Sequence, residues 1–149
     1  MVKRKTTMAA VSLALFVGAV TVQAQWVAVA HAVAGRIQQM SDRSKDGSGF
    51  DVATVVLDAN ADKVYQTAVK NLSARTDLKI TKQDAKTRVV QFTNGQQIAS
   101  LQATPLGDSI TQLVIASNLG PQPDPTSLVV QGVLHVCKDM NVECTLEGQ

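Results

Sequence analysis

Residues 78–117 read LKITKQDAKTRVVQFTNGQQIASLQATPLGDSITQLVIAS. The fold is decided here, because this run divides into four extended segments joined by turns. Leu78 to Gln83 alternates, with Leu78 and Ile80 on one face and Lys79 and Thr81 on the other, the two-residue period of a half-buried strand. Asp84-Ala85-Lys86-Thr87 is turn-forming, and Val89 to Thr93 is the second strand. Asn94-Gly95 predicts a tight type I′ hairpin, since that turn needs positive φ twice and Asn-Gly tolerates it. Gln97 to Thr104 returns as the third strand, with Ala99, Leu101 and Ala103 on the face opposite Ile98 and Ser100. Pro105-Leu106-Gly107-Asp108 reads as another turn, and Ile110 to Ser117 as the fourth strand. Lys79, Lys82, Lys86 and Arg88 suit a solvated sheet edge, where lysines block unwanted strand pairing.

On the N-terminal side, Asp51 to Leu57 is rich in Val and Thr and predicts one more strand. Asp58 or Asn60 then caps a helix over 61–74, whose Val64, Ala68 and Leu72 recur every four residues beside Tyr65 and Val69. On the C-terminal side, Gly120-Pro121-Gln122-Pro123-Asp124-Pro125 cannot continue a ladder and reads as an extended loop. Thr126 or Ser127 caps a final helix to about Met140, with Val129, Val133, Val136 and Met140 as its apolar stripe. The β-branched content makes a strand over 128–136 the competing reading. The order is β-α-β-β-β-β-α. It predicts an α+β two-layer sandwich, an antiparallel sheet of about five strands with two helices on one face.

Ahead of this domain, Lys3-Arg4-Lys5, an apolar run from Met8 to Val22 and Val22-Gln23-Ala24 make the three parts of a secretory signal. The expected organisation is a signal peptide at 1–24, an apolar then polar linker at 25–49, and a single domain at 50–149. The expected location is periplasmic or secreted. Trp26 to Ala34 is apolar again except for His31, so residues 8–34 would tether the chain to a membrane if the signal stayed uncleaved. No cysteine directly follows the apolar run, so a lipobox is absent and nothing supports lipid anchoring. Three of the 14 Lys+Arg lie in the signal, which leaves 11 against 12 Asp+Glu. That balance offers no basic field for nucleic acid.

Cys137 and Cys144 are the only cysteines, and in an oxidising compartment such a pair predicts a disulfide. Six residues separate them, so they form no C-x-x-C redox motif. The alternative is a thiol pair for redox or metal chemistry. His135 precedes Cys137 by two positions, which on a helix points the two apart and on a strand would bring them to one face. With His31 near the cleavage site, no second domain histidine completes a zinc set. No Gly-x-Ser-x-Gly elbow and no phosphate-cradling glycine pattern occurs. Asp51, Asp58, Asp62, Asp77, Asp84 and Asp108 fall at turns and caps, where capping accounts for them without catalysis. Asn71-Leu72-Ser73 matches a glycosylation sequon inside the first helix. No catalytic, metal-binding or cofactor-binding residue is expected, and the only residue-level assignment is the disulfide.

Phe50 to Met140, and in particular Ala59-Asn60-Ala61-Asp62-Lys63-Val64-Tyr65-Gln66-Thr67-Ala68, resembles a group of small bacterial envelope proteins of unknown function, many of them lipoproteins. The pattern shared is a short strand, Ala-x-x-x-Val-[Tyr/Trp]-x-Ala opening a helix, several antiparallel strands and a closing helix. The helix start is also similar to that of larger helix-grip domains that bind hydrophobic ligands. This chain departs from the group in lacking a lipobox cysteine and in having its own cysteine pair. The resemblance implies no catalytic residues. Three functions remain in view. The first is a non-catalytic exported module that binds an envelope partner or stabilises an assembly. The second is a small apolar-ligand carrier using the sheet face near Val90, Phe92, Leu101 and Leu113. The third is an enzyme built on His135 and a neighbouring carboxylate.

Overall fold

The computed structural model describes residues 33–46, 48–118 and 127–147. The signal-like segment and the Pro-rich loop at 120–125 lie outside them. Seven strands and two helices follow in the order β1 (Arg36–Arg43), β2 (Gly49–Leu57), α1 (Ala61–Ala74), β3 (Lys79–Asp84), β4 (Val89–Thr93), β5 (Ile98–Gly107), β6 (Ile110–Asn118), α2 (Leu128–Asp139) and β7 (Thr145–Leu146). The strands form one sheet in the order β3-β4-β5-β6-β2-β1-β7. Every pairing is antiparallel except that of β1 with β7. Among the described residues, no helix is long and apolar enough to cross a membrane.

The α+β class is as expected, but the sheet has seven strands rather than about five. One addition precedes the expected domain and the other lies at its C-terminal end. Residues 36–43, expected to be linker, form β1, and the chain's last described segment forms β7. The physical reason is visible in β1. Its inward positions are Ile37, Gln39 and Ser41, opposite the inward residues of β2. Only Ile37 is buried among apolar side chains; Gln39 and Ser41 instead donate hydrogen bonds to Asp51. A strand that serves a buried carboxylate loses the apolar alternation by which strands are recognised.

β2, β5 and β6 carry the core. Ala53, Val55 and Leu57 of β2, Leu101 and Ala103 of β5, and Leu113 and Ile115 of β6 are all buried. They share the face on which both helices lie. α1 contributes Val64, Tyr65 and Ala68, and α2 contributes Val129, Val133, Val136 and Cys137. The apolar stripe of 128–140 therefore prevails over its β-branched content, and the strand reading of 128–136 is excluded: packing against a sheet overrides local propensity. Asn60 caps α1, its Oδ1 accepting from the Asp62 and Lys63 amides at 2.9 and 3.4 Å. Ser127 caps α2, its Oγ accepting from the Val130 amide at 3.3 Å.

Two turns differ from their expected form. Thr93 pairs with Ile98, so the β4–β5 loop has four residues rather than two. Asn94 Oδ1 accepts from the amides of Gln96 and Gln97, and Gly95 alone takes positive φ, at 91°. Asn94 thus uses its side chain as an Asx turn instead of entering the left-handed region. Pro105 lies within β5, which runs on to Gly107, and a register shift between Pro105 and Gly107 accommodates it. A bulge is where a strand tolerates a residue with no N–H.

The C-terminal end is fastened at three points. Cys137 and Cys144 form the expected disulfide, with Cα atoms 6.1 Å apart. The Thr145 and Glu147 amides donate to the carbonyls of Gly35 and Ile37, each at 2.9 Å. Gly35 is buried at φ +77°, and a Cβ there would collide with the Glu143 carbonyl oxygen. Only glycine provides both the backbone conformation and the space.

Candidate functional site

A cavity of about 600 Å³ lies between the two helices and one end of the sheet. Its floor is the inward face of β5 and β6, built from Ala99, Leu101, Ile115 and Ser117. Phe92 of β4 closes one side. The C-terminal half of α1 and the face of α2 that bears Val129, Gly132 and Val136 form the walls. Several small residues create the space. Ala99 and Ser117 face each other in the β5–β6 register and leave the floor low. Gly132 meets Ile115 so closely that a Cβ would stand 3.0 Å from the isoleucine Cδ1. That contact draws α2 onto the sheet at one point, while the shorter floor residues leave a void beside it. The volume falls in the range of small-molecule sites.

Polar groups of the lining lie at two depths. At the mouth are Arg75, Asp77, Asn94, Gln97, His135 and Asp139. Arg75 and Asp77 form a two-point ion pair, Nε to Oδ1 at 3.0 Å and Nη2 to Oδ2 at 2.5 Å. This bond raises the Arg75 pKa and lowers that of Asp77. Deeper in are Ser117, which is buried, and Asn71, whose buried amide nitrogen has no hydrogen-bond partner. A buried unpaired amide is a cost that a bound acceptor would offset.

Beside the floor stands a second buried polar group. Asp51 of β2 is opposite Ser117 in the antiparallel register and is 6 % exposed. Its carboxylate accepts from Gln39 Nε2 at 2.9 Å, from Ser41 Oγ at 2.6 Å and from Ser127 Oγ. Burial pushes its pKa up, but these hydrogen bonds, with one from the Val52 amide, outweigh burial and hold it below the usual carboxylate value. Since Ser127 also caps α2, Asp51 anchors the N-terminus of the helix that roofs the cavity. Sequence reasoning placed Asp51 among turn and cap residues; the residues that reveal it, Gln39 and Ser41, lie in the segment expected to be linker.

Of the residues named for an apolar-ligand face, Phe92 and Leu101 line the cavity, whereas Val90 and Leu113 are wholly buried in the core beneath the helices. His135 is exposed at the mouth, one helical turn from Asp139, while Cys137 points into the core. Among the described residues, no group of three or more His, Cys, Asp or Glu side chains could hold a metal ion. Asn71 of the sequon is partly buried in α1.

The sequence matches no protein-family model and no curated protein. Solved structures do resemble the fold. A conserved protein of unknown function from Enterococcus faecalis superposes with a TM-score of 0.52 at 10% identity, covering 80% of this chain and 83% of that one. The Zhui aromatase/cyclase from Streptomyces sp. R1128 reaches a TM-score of 0.40 at 13% identity, over 63% of this chain and 87% of its own. CalU16 from Micromonospora echinospora reaches 0.39 at 10% identity, over 72% and 96%. At this identity the likeness to the Enterococcus faecalis protein is one of fold alone.

Proposed function

We propose that this chain is an exported, non-catalytic binding module that carries a small apolar ligand between its helices and its sheet. One observation supports the reading above the others: a cavity of about 600 Å³ with an apolar floor, in a domain with few large side chains. A filled core would have left no such space. The disulfide suits a location outside the cytoplasm, where thiols are oxidised. The test is binding of a neutral fluorescent apolar dye to the purified domain, repeated with Ala99→Leu, which places a larger side chain on the cavity floor. The expected result is saturable binding that falls by about tenfold or more in the variant, at an unchanged melting temperature. Equal binding by both proteins overturns the proposal.

A second reading, an assembly module, draws on the open face of the sheet. Met40, Phe50 and Ile98 are exposed there at 62 %, 42 % and 62 %, beside Val52, Val114 and Ala116. Its test is co-purification from envelope extracts with the native chain and with the Met40→Lys, Ile98→Lys double variant. An identical set of bound proteins from both would remove this reading.

A further inference from the structure

Resting on the apolar-ligand reading, we infer that the cavity selects an uncharged amphiphile, an apolar body ending in a hydroxyl or carbonyl, and rejects fatty-acid anions. Three observations carry the inference. First, two polar groups that reach into the cavity are neutral: the Ser117 hydroxyl on the floor and the Asn71 carboxamide on the α1 wall, whose nitrogen has no partner. Each can exchange a hydrogen bond with a hydroxyl or a carbonyl. Neither compensates a desolvated charge, whose burial without a counter-ion is far costlier than that of a neutral dipole.

Second, among the described residues the lining holds one permanent cation, Arg75, and Asp77 already occupies it through both oxygens. A carboxylate head would have to displace an intramolecular partner held at two points. Asp139 adds a further negative charge at the mouth, and His135 is the remaining ionisable group there. Third, Asp51 lies directly across from Ser117 in the register, which in an antiparallel pair puts the Cα atoms about 4.5–5.5 Å apart. Asp51 accepts from three side-chain donors, the bonding of an ionised carboxylate. Its fixed negative charge lies on the strand next to Ser117, outside the cavity lining itself, and disfavours an anionic head brought up to that hydroxyl. Like charges on neighbouring strands of a partly desolvated site repel each other.

Competition against the neutral dye with decan-1-ol and with decanoate, matched in chain length, tests this. Decan-1-ol is expected to displace the dye and decanoate to do so at least about tenfold more weakly. Because an alcohol is also the more apolar molecule, two variants separate site from solubility. Ser117→Ala should weaken decan-1-ol several-fold and leave decanoate unchanged. Asp77→Ala, which frees Arg75, should strengthen decanoate several-fold and leave decan-1-ol unchanged. Decanoate binding as tightly as decan-1-ol, or variants that shift both ligands alike, overturns the charge selection while leaving the apolar carrier intact. Dye binding that neither compound reverses, and that Ala99→Leu does not reduce, overturns the carrier reading beneath it.

Discussion

Removing the disulfide by Cys137→Ala with Cys144→Ala, or by reduction of the native chain, tests how the C-terminal end is held. The cysteines are seven positions apart. In the chain-entropy account, closing a loop of that size removes about 8 cal/mol/K from the unfolded ensemble, or about 2.4 kcal/mol at 25 °C. For a domain of this size that corresponds to a fall in melting temperature of about 10 °C or more. A local effect accompanies the global one. β7 contributes only two paired residues, and a ladder that short does not hold itself together. Without the cross-link, the amides of Thr145 and Glu147, which donate to Gly35 and Ile37, should exchange with solvent much faster, while those of β5 and β6 keep their protection relative to the new global stability. Differential scanning fluorimetry with and without reductant gives the first quantity, and hydrogen exchange read by NMR gives the second. A drop in melting temperature under about 3 °C, with the Thr145 and Glu147 amides still protected, would show that side-chain packing alone fastens the tail and would refute the reasoning.

The Asp51 carboxyl titrates below its usual value in the folded chain, so its contribution to stability is complete above the unfolded value of about 3.8 and disappears as pH falls through the folded one. Asp51→Asn should lower stability at neutral pH and flatten the acid limb of a urea-midpoint profile; an acid limb as steep as that of the native chain would assign the pH dependence elsewhere. Gly35→Ala combines a left-handed backbone angle with a steric collision at the Glu143 carbonyl and should cost at least about 2 kcal/mol by urea denaturation. A loss below about 0.5 kcal/mol would mean that the β7 segment moves aside freely. Asn60→Ala deletes the α1 cap and should cost about 1 kcal/mol, with Asn60→Asp restoring most of it. The exposed Arg88–Asp62 bridge, at 2.6 Å, should contribute under about 1 kcal/mol when broken by Asp62→Asn and should weaken further in high salt.

Local signals were enough for the parts of the fold whose inward residues are apolar. Ala99, Leu101 and Ala103 alternate with Ile98 and Ser100, and that alternation became the inner and outer faces of β5. Val129, Val133 and Val136 return at helical spacing, and they are the buried stripe of α2. β1 escaped because its inward Gln39 and Ser41 are explained only by Asp51, ten and more residues along the chain. β7 escaped because two residues beside a disulfide carry no period. The cavity is harder still to read in one dimension. It results from Ala99, Ser117 and Gly132 meeting from three separate elements, and no single segment records that their combined volume falls short of filling the space.

The Asp51 cluster also bears on which of several sheets this chain could build. Along β2, both faces are largely apolar: Ala53, Val55 and Leu57 point inward, while Val52 and Val56 point outward. β6 is similar, with Leu113 and Ile115 inward and Val114 and Ala116 outward. A slip of one residue would exchange the faces, yet hydrophobic burial would barely register the error. The polar residues would. Slipped by one, β2 would turn Asp51 away from Gln39, Ser41 and Ser127, and β6 would part the Thr111 hydroxyl from the Ala59 carbonyl it reaches at 2.7 Å. These side chains act as alignment keys between strands that apolar matching alone would leave free to slide.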